Sequence, residues 1–230
     1  MKVLVLENFA AGPIGLFGDY LERRRGARLR VATPETMPEQ PGDEDLLVVL
    51  GSPNGVYEEL PWIVRQRALV RQAIEAGRPV VGICFGAQLI ASAIGGTVAP
   101  MGRRFCGWIA SAEVVDPVWR GPWARWHGDH LTLPEDAEVL ARDQGTIQAF
   151  QYRQAVGVQF HPEANEAILT DWSHATPDQL TENGLTFEQV IADTRANVHG
   201  RAAAREALFD EMLRRCMAPV AARPLLNIAS

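Results

Sequence analysis

The chain has 230 residues, 47% hydrophobic and 22% charged, enough to bury a full core and ordinary for a globular fold. Its formal net charge of -6 argues against nucleic acid, whose phosphates call for a basic surface. Lys2 is the only lysine, which excludes a Walker-type phosphate loop, and the three cysteines, Cys84, Cys106 and Cys216, are too few and too scattered for a disulfide framework or a metal knuckle.

Residues 2–6 (KVLVL) read as a first buried strand. Acidic Glu7 follows at once and no small-residue cleavage site is evident, so the run is better read as a first strand than as a signal peptide. No stretch has the length of a membrane span, and the expected setting is the cytoplasm. A helix is predicted over 14–25, strands over 28–32 and 46–50, and a helix over 61–76 that opens with Pro61 and stops at Gly77. A strand at 79–83 and a helix at 86–94 follow. The strands are apolar runs with little alternation, as expected where both faces are covered. Strand and helix in turn predict an α/β fold with a doubly wound, mostly parallel sheet.

From about 97 to 160 the pattern changes to short β-like pieces at 108–115, 137–142, 146–150 and 155–160, an added meander or set of hairpins. The stretch 119–126 (WRGPWARW) is a tempting binding surface, although aromatic-rich loops more often serve packing. Residues 164–217 are helical in character, with a capping box predicted from Thr186 and Gln189. The tail 218–230 has two prolines and is expected to lie along the surface. Residues 1–163 are thus read as the core, and 164–230 as a helical extension packed on the same domain.

Two motifs carry chemistry. Residues 80–88 (VVGICFGAQ) set Cys84 between Gly82 and Gly86 where a strand gives way to a helix. That is the pattern of a nucleophile elbow, where flanking glycines permit a strained turn. The helix N-terminus favours a thiolate there, and its first N–H groups point to where an oxyanion would form. Gln88, one helical turn on, can face the same site. The alternative is a small buried hydrophobe, the usual role of a free cysteine. Residues 157–163 (GVQFHPE) end an apolar run in His161, Pro162 and Glu163. A thiol, a base and a carboxylate that orients the base form the triad arrangement for acyl transfer.

With these two motifs the chain resembles the class I (triad-type) glutamine amidotransferases over about residues 1–165. Gly82, Cys84, Gly86 and Gln88 match the family's elbow, and His161, Pro162 and Glu163 its later strand end. LGSPNGVYEE (50–59) stands where the family has an oxyanion turn, with Ser52 replacing the second glycine of many relatives. Residues 126–141 are similar to the GMP-synthetase-like branch, where His127 and Asp129 would either line the entrance or simply form a turn before a strand. His127 and His130 lack a third partner for a metal site. Ala87, Phe105 and Cys106 depart from the family's usual residues and are expected to affect which substrate is held.

The resemblance implies a flavodoxin-like sheet and cleavage of the γ-amide of glutamine or a γ-glutamyl compound through a thioester on Cys84. His161 and Glu163 would complete the triad, and Gly51 and Phe85 would donate to the oxyanion. Gln88, Ser52 and Asp129 are the candidate substrate contacts. No metal or organic cofactor is implied. The expected partner is a glutamine-like small molecule, not nucleic acid or membrane, with a separate synthetase subunit and a homodimer both left open. The extension reads as a helical cover before it reads as a docking surface, lid or oligomer contact. A catalytically silent or redox-responsive binding module on the same fold is the alternative.

Overall fold

A computed structural model describes residues 1–218; the tail prediction, apart from its first residue, lies outside the described residues. The apolar runs form strands β1 (Lys2–Leu6), β2 (Arg28–Ala32), β3 (Leu46–Val49) and β4 (Val80–Ile83). Between them lie helices α1 (Gly15–Arg25) and α2 (Pro61–Glu75), and α3 (Phe85–Ala93) follows β4. The second half adds β5 (Val98–Ile109), β6 (Glu113–Val114), β7 (Trp123–Leu131), β8 (Glu138–Asp143), β9 (Thr146–Tyr152) and β10 (Ala155–Val158). Helices α4 (Glu166–Ala175), α5 (Pro177–Glu182), α6 (Phe187–Gly200) and α7 (Ala202–Met217) complete the described chain.

The main sheet has eight strands in the order β2-β1-β3-β4-β10-β9-β8-β6. The first five run parallel, and β9, β8 and β6 continue the sheet antiparallel. Side chains alternate between its faces: Val3, Val5, Leu46 and Val48 meet α1 and α7 through Phe17, Leu21, Leu208 and Phe209. Leu4, Leu6, Leu47 and Val49 meet α2 and α3 through Ile63, Val70, Leu89 and Ile90. Two covered faces explain why these strands are apolar throughout. The structure is a mixed α/β fold with a mostly parallel central sheet, as the sequence predicts. Among the described residues no helix is long and apolar enough to cross a membrane.

Three expectations need correction. The sequence reading finds only the end of β5 and misses β7; these strands pair antiparallel as a separate two-stranded sheet. His127, Asp129 and His130 therefore lie on β7, not in a turn. Alternation is hidden there because Arg125 sits at an inward position, wholly buried and tied to Asp143 at 2.6 Å. Third, the 119–126 stretch is mostly not a surface: Trp119 and Trp123 are core residues, and only Trp126 of its tryptophans keeps part of its surface open. The Thr186–Gln189 capping box forms, with the Thr186 hydroxyl accepting from the Gln189 N–H at 3.2 Å and Gln189 accepting from the Thr186 N–H at 2.8 Å.

The contact between α3 and β3 leaves no room for a side chain. A Cβ at Gly86 would stand 2.0 Å from the Val49 carbonyl oxygen, whereas one at Gly200, at the end of α6, would meet nothing within 4 Å. Gly86→Ala is expected to destabilise by more than about 2 kcal/mol. Gly200→Ala should be neutral or stabilising by up to ~1 kcal/mol. Urea denaturation midpoints compare the two; equal effects would refute the close-approach account.

Candidate active site

Between β4 and α3 a single residue turns the chain. Cys84 takes φ 53° and ψ −108°, a conformation that costs a non-glycine residue about 1–3 kcal/mol. Its N–H donates to the Val158 carbonyl at 2.7 Å, and its carbonyl accepts from the Gln88 N–H at 3.1 Å. The two glycines of the motif make the turn sterically feasible, because a Cβ at Gly82 would stand 2.4 Å from the Gly86 carbonyl oxygen. Cys84 is buried beside the first turn of α3, whose leading N–H groups, Phe85 first, have no intrahelical acceptor.

His161 follows the end of β10. Its N–H donates to the Ala124 carbonyl at 2.7 Å, an isolated bridge to β7. Its Nδ1 lies 2.7 Å from Glu163 Oε1, and both side chains are buried. Nε2 is thereby left as the ring nitrogen free for other chemistry. Burial pulls the imidazolium down, but the negative charge of Glu163 and the Cys84 sulfur outweigh it and hold His161 up at about 10. Gly51 closes this corner: a Cβ there would lie 3.3 Å from His161 Cε1 and 3.9 Å from Cys84 Cβ. The structure thus brings Gly51, Cys84, Phe85, His161 and Glu163 together at the carboxyl ends of β3, β4 and β10, where open α/β sheets form their binding crevices.

Gln88 is buried one turn beyond Cys84. The Ser52 hydroxyl accepts from the Asn54 N–H at 3.1 Å, shaping its own turn. Asp129 Oδ1 accepts from the Tyr57 hydroxyl at 3.3 Å, and burial raises the Asp129 carboxyl despite Tyr57, His130 and Arg104. His127 is pushed down to about 4, chiefly by burial, so its ring is neutral beside the charged His161. Its Nδ1 lies 3.1 Å from the Asp129 carbonyl oxygen. Among the described residues no group of three His, Cys, Asp or Glu side chains is arranged to hold a metal ion.

Sequence reasoning missed three neighbours. The Trp126 carbonyl lies 4.0 Å from Cys84 Sγ. The Ala124 carbonyl anchors His161. The Trp172 ring meets the His161 ring edge-on at 4.6 Å, held by a 2.7 Å bond from its indole N–H to the Ala11 carbonyl. Nothing local marks Trp172, which lies on a helix eleven residues past His161. The only signal is an aromatic at an inward position of a predicted cover helix.

The family model "Glutamine amidotransferase class-I" matches residues 21–170. The GMP synthase [glutamine-hydrolyzing] of Thermomicrobium roseum is 39% identical over 136 residues, 54% of this chain and 24% of that protein. The chain therefore spans about a quarter of that relative's length. The glutamine amidotransferase-like protein YfeJ of Salmonella typhimurium is 32% identical over 184 residues, 73% of this chain and 77% of the other. A gamma-glutamyl-L-1-hydroxyisopropylamide hydrolase of a Pseudomonas species is 30% identical over 153 residues, 58% of this chain and 50% of the other. Among solved structures, a glutamine amidotransferase from Thermotoga maritima superposes with a TM-score of 0.81 at 24% identity, covering 95% of this chain and 99% of the other.

His161 is held above the ordinary histidine value of 6.5, so the contribution of its pair to stability is complete below about 6.5 and lost as the pH rises toward about 10. The gap in urea midpoint between the wild type and Glu163→Gln is expected to narrow across that window. A gap that stays constant, or widens with pH, would refute the assignment.

Proposed function

The chain belongs to the class I glutamine amidotransferase family, and on that premise we propose that it cleaves the γ-amide of glutamine or a γ-glutamyl compound at Cys84. The observation that carries this reading is the buried His161–Glu163 pair beside a thiol held on a strained strand-to-helix turn. A redox-responsive thiol has no need of a base held by a buried carboxylate, so the same pair favours an enzyme over a sensor or binding module.

The Cys84 thiolate attacks the γ-carbonyl carbon, forming the S–C bond and a tetrahedral oxyanion. The N–H groups of Gly51 and Phe85 are the donors for that oxyanion, and fixed donors of this kind are typically the largest single contribution to such catalysis. The oxyanion collapses, the C–N bond breaks, and the protonated His161 gives its Nε2 proton to the departing amine. His161, now neutral, takes a proton from water as the water attacks the thioester carbon. The C–S bond breaks, glutamate leaves, and the thiolate and imidazolium are restored. Glu163 keeps the ring in one orientation and stabilises its positive form. Gln88, on the inner face of α3, and Asp129 would hold the amino-acid end of the substrate, with Ser52 shaping the turn beside them. No step needs a metal or an organic cofactor.

The hydrolase relative supports reading the leaving group as an amine other than ammonia. A second reading, in which ammonia passes to a synthetase domain or subunit, is favoured by the match to a part of GMP synthase. The packing of α4–α7 against the core supports one compact unit comprising core and helical cover.

Release of glutamate by the purified chain, from glutamine and from γ-glutamyl amides, tests both. Cys84→Ala is expected to lower the rate by at least about a thousandfold. Rapid turnover of a γ-glutamyl amide supports a self-sufficient hydrolase; slow, Cys84-dependent release from glutamine alone supports the synthetase reading. Release that persists in Cys84→Ala would overturn the mechanism.

A further inference from the structure

Building on the reading that His161 protonates the leaving amine, the surroundings of that ring bear on what the amine carries. The departing nitrogen must come within hydrogen-bonding distance of His161, so its substituent lies among the side chains packed around the imidazole. Those side chains form an aromatic row. Trp172 stands at its centre, 4.6 Å from His161 between ring centroids. Phe9 stacks against it at 6.4 Å, and Trp126 packs against it tilted by 58° at 5.9 Å.

The row is held in place by bonds that use up its polar atoms. The Trp172 indole N–H donates to the Ala11 carbonyl at 2.7 Å, and that of Trp126 to the Thr176 hydroxyl at 3.2 Å. What remains for a guest is carbon. Trp172 is buried, whereas Phe9 and Trp126 keep part of their surface open. Phe9 belongs to the loop that leaves the carboxyl end of β1, on the same edge of the sheet as Cys84 and His161. Partly exposed aromatic rings whose polar atoms are already bonded gain most from covering apolar surface.

We propose that Phe9, Trp126 and Trp172 form the leaving-group subsite, and that it takes γ-glutamyl amides of apolar alkyl or arylalkyl amines. A compact polar amine such as ammonia leaves the row uncovered. An anionic amine, such as the nitrogen of an amino acid, brings a carboxylate against it without a counter-charge. The competing recognition element is Arg104, whose charge acts on Asp129 and Tyr57 and would favour an acidic leaving group instead.

The test measures kcat/KM for glutamate release by the full chain from glutamine, γ-glutamyl butylamide, γ-glutamyl benzylamide and γ-glutamyl glutamate. The butyl and benzyl amides are expected to exceed both glutamine and γ-glutamyl glutamate by at least about tenfold. Phe9→Ser should collapse the ratio of benzylamide to glutamine, and Phe9→Arg should move the preference toward γ-glutamyl glutamate. A wild-type preference for γ-glutamyl glutamate would overturn the subsite in favour of Arg104, and equal rates across the panel would overturn it outright. An apolar preference untouched by both Phe9 variants would also overturn it, by moving the subsite elsewhere. Absence of Cys84-dependent release from any compound would instead remove the underlying cleavage reading, a result recognisable because no member of the panel turns over.

Discussion

A charged pair withdrawn from water organises this molecule's functional edge. Burying a carboxylate and an imidazolium costs several kcal/mol, recovered only if the geometry is tight and the remaining polar atoms are held. Glu163 Oε2 has no hydrogen-bond partner among the described residues, so the pair rests on its 2.7 Å contact and on a backbone fixed from distant segments. The Ala124 carbonyl fixes the His161 backbone, and the Glu163 carbonyl accepts from Leu16 at the start of α1 at 2.9 Å. Asn165 caps α4 immediately afterwards, its side chain accepting from the Ile168 N–H at 3.0 Å, and α4 carries Trp172 back onto the ring. The loop after β1, the start of α1, strand β7 and the first helix of the extension thus all meet around one ion pair.

The other half of the site is built by strain. Cys84 occupies a backbone conformation that L-residues avoid, held by hydrogen bonds on both sides and by two glycines that let α3 approach β3 and β4 closely. Local preference and global fold disagree at Cys84, and such disagreement is what natural chains tolerate at functional positions. Rigidity follows, because the thiol sits on the junction of two core elements and not on a loop tip. The imidazole is equally confined by Glu163 and Trp172.

How much of this can be read from the sequence depends on how local the cause is. Strands β1, β3 and β4 are legible because each is covered on both faces and needs nothing but apolar residues. The elbow is legible because its glycines and cysteine fall within five residues, 82–86, and His161 and Glu163 because they are two residues apart. Strand β7 is not. It carries Arg125 at an inward position, and that arginine is tolerable only because Asp143 and the Ser111 hydroxyl, 2.6 and 3.3 Å away, come from elsewhere in the chain. A period-2 pattern with a charge at the wrong place reads as a turn until its partner is known. Trp172 is hidden for the same reason. Its hydrogen bond to Ala11 spans 161 residues, and no spacing rule announces such a contact.

The chain beyond residue 170, where the family match ends, therefore deserves a functional reading and not only a structural one. A cover helix that merely sealed the sheet would need apolar contacts, which Ile168 and Leu169 of α4 already supply. Trp172 goes further. It spends its only hydrogen-bond donor on the loop after β1, presses on the histidine and joins a phenylalanine and a tryptophan from two other elements. The segment matched by the family model contains Cys84, His161 and Glu163, and the helix that runs past its end sets the Trp172 ring beside the imidazole.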